Sequence, residues 1–376
     1  MAPVSHVRAH AIVPPSGDFR PDWLYYKGRL WYRPAVRLHE GQVVYFSPEP
    51  HPQAMPIAGL LSPAWINAHT HLELSHLSHQ IPQGRGMIDF IQRMGPRRGN
   101  AAASVIYSAL QEACIEGTCA FVSHQNHPLL EEAIPAYAVV QPLREFYGLR
   151  RRGARQQYRK LSRQPTAFTP HSLYALARPL LRKAARPTQF PRSLHFMESI
   201  EERLWLTEKK GPFRTFLQQF DKKPPRLRWL YWIARLYRKA PALWLVHSAE
   251  LSPLWIEKLL HRFQRLYFVL CPVSNYYLFR RMPPLSLWEK YPHRFLVGTD
   301  SLASSFSLSL WKSVQSLYAA GLSWATILRA VVDTPRQWIR PKGLWVQVAP
   351  LSPEGHILPY TKARLFCSET NPIDKR

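Results

Sequence analysis

From about residue 60 the chain repeats one rhythm, in which a short apolar run is followed by a stretch whose apolar residues are spaced three and four apart. Apolar runs of four to eight residues bounded by Gly, Pro or polar clusters read as strands, and the longer spacing reads as amphipathic helix. The predicted strands are LLSPAWINAHTH (60–71), TCAFVSHQ (118–125), AYAVVQPLRE (136–145), TAFTPHS (166–172), RSLHFMES (192–199), LWLVHSAE (243–250), RLYFVLCPVSN (265–275) and HRFLVGTDS (293–301). Helices are predicted between nearly all of them, over 101–116, 151–164, 201–220, 226–239, 252–263 and 307–320. Eight strands alternating with helices over about 250 residues have the size and rhythm of an α/β fold, a (β/α)8 TIM barrel. The ends of the chain differ. WLYYKGRLWYR and VRLHEGQVVYFS each place a Gly-containing turn between two strand-like runs, as hairpins do. After Trp338, GLWVQVAPLSPEGHILPYTKARLFC reads as strands again, with a turn at Glu354-Gly355. The organisation expected is a barrel over 62–338, with 1–61 and 339–376 as the two parts of a small β-sandwich domain built from both termini. No repeat of 20–50 residues is visible, which argues against solenoids and propellers.

Composition sharpens this picture. With 46% hydrophobic residues, the 376-residue chain can bury a core, which excludes wholesale disorder. No apolar run reaches the roughly 18 residues needed to span a bilayer. The start, MAPVSHVRAHAIVPPSGDF, has no apolar segment of the secretory kind. The four cysteines, Cys114, Cys119, Cys271 and Cys367, form no C-x-x-C pair. A disulfide framework or Cys-rich zinc site is therefore not expected, and a reducing cytoplasm is the simplest compartment. The net charge of +26 points first to polyanions. The charges are scattered in short clusters, however. Arg151, Arg155, Arg159 and Arg163 would form one stripe on a helix, and the stretch Arg226 to Arg238 interleaves Arg with Trp229, Tyr231, Trp232 and Tyr237. Without a nucleic-acid motif, both read as outer helices with a solvated basic face.

The candidate chemistry lies at the ends of the predicted strands. His69 and His71 are two apart in an extended run and so share a face, where two imidazoles chelate one ion. His171, His195, His247 and Asp300 follow at the ends of, or within, later strands. In a barrel the C-terminal strand ends converge on one mouth, and imidazoles with one carboxylate suit zinc or another borderline divalent ion. Each element alone is weak. Their order along successive strands is the signal.

PAWINAHTHLELSHL (63–77), TPHSLYAL (169–176), LHFMESIEE (194–202), LVHSAEL (245–251), CPVSNYYL (271–278) and VGTDSLASSFSLSL (297–310) together resemble the amidohydrolase superfamily, in its mononuclear deaminase/chlorohydrolase branch. The resemblance implies a metal-dependent hydrolase acting on non-peptide C–N bonds. It implies His69, His71, His195 and Asp300 as ligands of one divalent metal, zinc before iron or manganese. It implies Glu198 as proton shuttle, with Asp300 sharing the water's proton. His247 would hydrogen-bond the attacking water or the developing oxyanion, and His171 would contact substrate. The predicted fourth strand, TAFTPHS, lacks the lysine that bridges two metals in binuclear branches, which favours one ion.

The HTHLELS and GTDSLAS motifs are most similar to the aminodeoxyfutalosine deaminase-type group, which implies deamination of an adenine nucleoside analogue that carries a carboxylate. A strongly basic protein attracts such an anionic substrate. The alternatives are a guanine-, adenosine- or triazine-type deaminase, a chlorohydrolase, an inactive basic barrel that binds nucleic acid or anionic membrane, and a metal-stabilised scaffold. The expected partner is a small heterocycle, with no specific nucleic acid and no membrane span. A homo-oligomer stays open. Two positions depart from the family pattern: Val273 stands where Arg is usual, and Ser305 where Asn is usual. The C-terminal Gly-rich signature is poorly kept after Trp338. Weaker candidates are His124 and His127, read as an ordinary loop pair before a metal or substrate role; Glu73, as a partner that orients a ligand or as a salt bridge; and Glu145, as a lining residue or an Arg partner. Cys271 reads as a buried strand residue and not a nucleophile.

Overall fold

The computed structural model describes residues 15–149, 156, 159, 168–220, 227–351 and 357–366. The chain divides into two compact units, Met1–Ala64 with Lys342–Arg376, and Trp65–Pro341.

The first unit begins with β1 (Gly17–Tyr26), β2 (Arg29–Tyr32), β3 (Ala35–His39), β4 (Gln42–Ser47) and β5 (Met55–Pro63). Both sequence-predicted hairpins are present. Their turns have φ of 50° and 74° at Lys27 and Gly28, and 47° and 71° at Glu40 and Gly41. Two successive positive φ values match the right-handed twist of the flanking strands. Gly41 is also required by space, because a Cβ there would lie 1.6 Å from the carbonyl oxygen of Gly343.

The second unit holds the alternating pattern. β6 (Trp65–Thr70), β7 (Thr118–Gln125), β8 (Val139–Phe146) and β9 (Phe168–Pro170) form one parallel sheet. β10 (Arg192–Phe196), β11 (Leu243–His247), β12 (Leu266–Leu270) and β13 (Phe295–Val297) form another. Isolated parallel bridges, Ser172↔His195 and Thr70↔Asp300, join the two sheets at both seams. Residues two apart on these strands, such as Ile66 and Ala68, Ala120 and Val122, and Trp244 and Val246, share one buried apolar cluster. All eight predicted strands are found, most of them ending earlier than expected. The clearest case is 265–275: the strand stops at Leu270 and Pro272 opens the helix Pro272–Phe279, because proline suits a first helical turn and cannot continue a buried ladder.

The predicted helix 201–220 is two helices, Ile200–Glu208 and Pro212–Gln218, parted by Gly211 at φ 90°. Helices over Gly86–Arg97 and Arg178–Ala184 were not expected. The basic-aromatic stretch forms the helix Trp229–Arg238, which buries Trp232, Ile233 and Leu236 and exposes Tyr231 and Arg238. The expected helix 151–164 and its arginine stripe lie outside the described residues, apart from Gln156 and Arg159. Among the described residues, no helix is long and apolar enough to cross a membrane.

The chain returns to the first unit with β14 (Trp345–Leu351) and β15 (Ile357–Phe366). There the described strands make a single seven-stranded sheet, ordered β15-β14-β5-β1-β3-β4 with β2 on β1, where two facing sheets of a sandwich were expected. The backbone pairing accounts for the single sheet: β14 bonds to β5 on one side and β15 on the other, so the C-terminal strands extend the N-terminal sheet.

Candidate metal centre

Eight parallel strands all point their C-terminal ends the same way, and the candidate residues lie at those ends. His69 is on β6 and His71 follows it; His195 is on β10, His247 ends β11, and Asp300 lies just past β13. The geometry brings these five together. His69 Nε2 and His71 Nε2 are each 3.5 Å from Asp300 Oδ1, and His71 Nε2 is 3.2 Å from His195 Nε2. One ligand atom from each of His69, His195, His247 and Asp300 lies within 4.8 Å of every other. Glu198, just after β10, sits 3.6 Å from His247 Nε2. His171, just after β9, stacks on the His195 ring at 4.5 Å.

The hydrogen bonds fix what the rings offer. His195 Nδ1 is 3.0 Å from the carbonyl oxygen of His171, which can only accept, so Nδ1 carries the proton and Nε2 presents a lone pair. Both ring nitrogens of His69, both of His247 and Nδ1 of His71 are buried without a hydrogen-bond partner. Buried polar atoms left unpaired cost about 1–3 kcal/mol each, a cost that a divalent cation would relieve at one nitrogen of each ring that binds it. Asp300 is oriented by Ser274 Oγ, 2.8 Å from Oδ2, and by Ser304 Oγ on the same oxygen. The donor set of neutral imidazoles and one ionised carboxylate fits zinc.

Burial sets the charge states. It pushes His69 well below its usual pKa and His71 down to about 4, so both rings are neutral near pH 7. Burial opposes ionisation of Asp300, yet contact with His69 and the nearby His247 and His71 rings hold it well below the usual carboxylate range. Glu198 moves the other way. Burial, then the charges of Asp300, Glu202 and Glu201, raise it well above the ordinary carboxyl value, which favours its protonated form.

The weaker candidates resolve as follows. His124 is a strand residue on β7, fully buried against His69 with ring centroids 4.4 Å apart, and is not in a loop; His127 is exposed. Parity was the available signal, since His124 continues the inward series Ala120 and Val122. Glu145 continues Leu143 on β8 in the same way. Its carboxylate meets His124 Nδ1 at 3.2 Å and Arg98 Nη2 at 3.4 Å. Glu73 touches no candidate ligand; it accepts from the Asn126 and His127 amides and lies 3.6 Å from Arg98. Cys271 is buried and its thiol is pushed well up by that burial, which agrees with an inert side chain. The sequence reading missed Arg98, Ser274, Ser304 and Gly298. A cavity of about 870 Å³ adjoins the cluster, lined in part by His171, Arg98, Tyr147, Met94, Tyr174 and Phe216. His171 is the one candidate residue shared between cavity and cluster.

No family model matches the chain. In sequence it is 26% identical over 270 residues to an adenosine deaminase of Helicobacter pylori, covering 67% of this chain and 66% of that protein, just under two thirds. It is 22% identical over 280 residues to an aminodeoxyfutalosine deaminase of a Nitratiruptor species, covering 68% and 67%. In structure it superposes on Helicobacter pylori aminofutalosine deaminase in complex with methylthio-coformycin with a TM-score of 0.73, at 17% identity over 94% of this chain and 98% of that one. The chain has the fold of the amidohydrolase-type deaminases. It also superposes on an adenosine deaminase from Xanthomonas campestris with bound zinc, with a TM-score of 0.62 at 16% identity, covering 95% and 93%.

Proposed function

We propose that the chain is a metal-dependent amidohydrolase that deaminates an aminated heterocycle, an adenine nucleoside analogue of the aminodeoxyfutalosine kind. In this reading the eight parallel strands act as one (β/α)8 barrel, and His69, His71, His195 and Asp300 hold a single zinc ion. The observation that carries the proposal is the convergence of buried imidazoles and one carboxylate, their donor atoms within 4.8 Å of one another, beside the buried carboxyl group of Glu198. The relatives' names and the zinc in the Xanthomonas neighbour support the reaction class and the metal.

A divalent cation in this cluster supplies Lewis acidity that lowers the pKa of a water from 15.7 to about 7. The chain's own residues do the rest. The Asp300 carboxylate, held in place by Ser274 and Ser304, accepts the water's proton. Glu198 gives its proton to a ring nitrogen of the substrate, the proton taken up by Asp300 passes to the amino group that leaves as ammonia, and the proton of the new hydroxyl returns to Glu198 as the carbonyl forms. His247, 3.6 Å from Glu198, faces the reacting carbon and stabilises the oxygen that develops there. His171, at the border of cluster and cavity, contacts the bound ring, and the cavity takes the rest of a nucleoside-sized substrate.

The test is ammonia release from aminopurine nucleosides by the purified, zinc-loaded protein. Release is expected to stop on chelation and to return with zinc. Glu198→Gln should lose activity about 10²–10⁴-fold, the range of a general acid–base group, while keeping its metal. Undiminished turnover in Glu198→Gln, or turnover that survives complete metal removal, would sink the proposal.

A further inference from the structure

His124 belongs to none of the roles assigned so far, yet it is the buried imidazole in closest ring contact with His69. Its ring centroid is 4.4 Å from that of His69, 5.5 Å from His71 and 5.5 Å from His195. Its Nδ1 faces Glu145 Oε1 at 3.2 Å. Glu145 is itself fully buried, and its second oxygen meets Arg98 Nη2 at 3.4 Å. A carboxylate oxygen facing a ring nitrogen at this distance accepts its hydrogen bond. The proton of a neutral His124 is therefore on Nδ1, and Nε2 is a lone-pair donor. That Nε2 is buried with no hydrogen-bond partner. One ring nitrogen from each of His69, His71, His124 and His195 lies within 4.8 Å of every other. Two nitrogens on one zinc lie at most about 4.2 Å apart, a separation of the same order.

We propose, building on the mononuclear reading above, that His124 is a further protein ligand of the metal through Nε2, with Glu145 as the carboxylate that fixes its tautomer and Arg98 as the cation that anchors Glu145. A carboxylate on the far nitrogen is the usual way a metal-binding imidazole is oriented and made more basic. This gives the centre one more imidazole than the resemblance implies. It also gives the Arg98–Glu145 pair a purpose at the border of the large cavity: it positions a ligand.

The test uses the cobalt-substituted and zinc-loaded 376-residue chain, with readouts other than turnover. X-ray absorption on the zinc-loaded wild type should fit four imidazoles, and a fit with three overturns the proposal without any variant. His124→Asn, checked for folding by thermal melting of the metal-free form, should change the visible absorption of bound cobalt and raise the metal Kd at least about 10-fold in chelator competition. Glu145→Gln, which frees the tautomer, should raise Kd about 10-fold, as loss of a ligand's orienting partner does. An unchanged cobalt spectrum and Kd in His124→Asn overturn this proposal alone. A wild type that takes up no metal overturns the mononuclear reading with it.

Discussion

Gly298 gives the sharpest test of how the strand ends assemble the site. It lies between β13 and Asp300, and its amide donates to the Leu270 carbonyl at 2.8 Å. The next two amides, of Thr299 and Asp300, both donate to the carbonyl of His69 at 3.1 Å. The two chain segments are thus pressed together so that His69 and Asp300 meet. A Cβ at Gly298 would lie 2.8 Å from His69 Cβ, 2.9 Å from His69 O and 3.1 Å from His69 N, where ordinary contact begins at 3.4 Å. Gly298→Ala must therefore move the His69 Cβ by about 0.6 Å, the difference of 3.4 and 2.8, and two of the three crowded atoms are backbone. Overpacking of this kind costs about 1–3 kcal/mol. A shift of that size at a metal ligand also weakens the centre. The expected result is a lower melting temperature of the metal-free protein together with a raised metal Kd. The two assays separate the effects, since melting without metal reads the clash and chelator competition reads the ligand geometry. A Gly298→Ala protein with wild-type melting and wild-type Kd would refute the idea that this close approach sets the His69–Asp300 geometry.

Ser274→Ala removes one of the two hydroxyl donors on Asp300 Oδ2 and should raise the metal Kd about 10-fold in chelator competition, with Ser304 retaining part of the orientation; no change in Kd would show that Ser304 suffices. The metal-free protein should lose stability in mild acid. His71 titrates at about 4 when folded against 6.5 as its ordinary value, so the unfolded chain takes up a proton first as pH falls. Its stabilising contribution is complete above about pH 6.5, is lost as pH falls towards about 4, and is worth about 3 kcal/mol in all. Denaturant unfolding of the chelated protein at about pH 7 and about pH 5 checks this, and equal stabilities would contradict it.

The alternation of strand and helix was legible because parallel strands buried on both faces leave unbroken apolar runs. What escaped was structure whose sequence signal competes with that of its neighbour. VSNYYL is apolar enough to extend a strand, but Pro272 makes it the start of a helix. The helix Gly86–Arg97 was hidden by glycines before it and by the Gly95-Pro96 pair near its end. At the site, the ligand set stood out through the spacing of His69 and His71 and the GTDS motif. His124 and Glu145 did not, because a histidine or glutamate near a strand end looks like surface. Only the parity of the apolar residues before them marks them as inward.

One part of the site left no trace in the sequence at all. Met197, His247, Ser248 and Asp300 have φ of 48°, 67°, 50° and 63°, the left-handed region, and none is glycine. Each costs about 1–2 kcal/mol for an L-residue. All four lie where a strand has just ended and a functional side chain leaves it: Met197 directly before Glu198, the others at or beside His247 and Asp300. Glycine would relieve the strain, but at His247 and Asp300 it would delete the side chain the turn exists to present. The conformation persists because hydrogen bonds over-determine it. Ser248 donates to Phe196 O at 3.0 Å, Glu250 to Met197 O at 2.9 Å, and Asp300 to His69 O at 3.1 Å. Each of these bonds runs to a different strand end from the one its donor follows. The strain at one strand end is therefore held by its neighbour: β10 holds the turn after β11, and β6 holds the turn after β13.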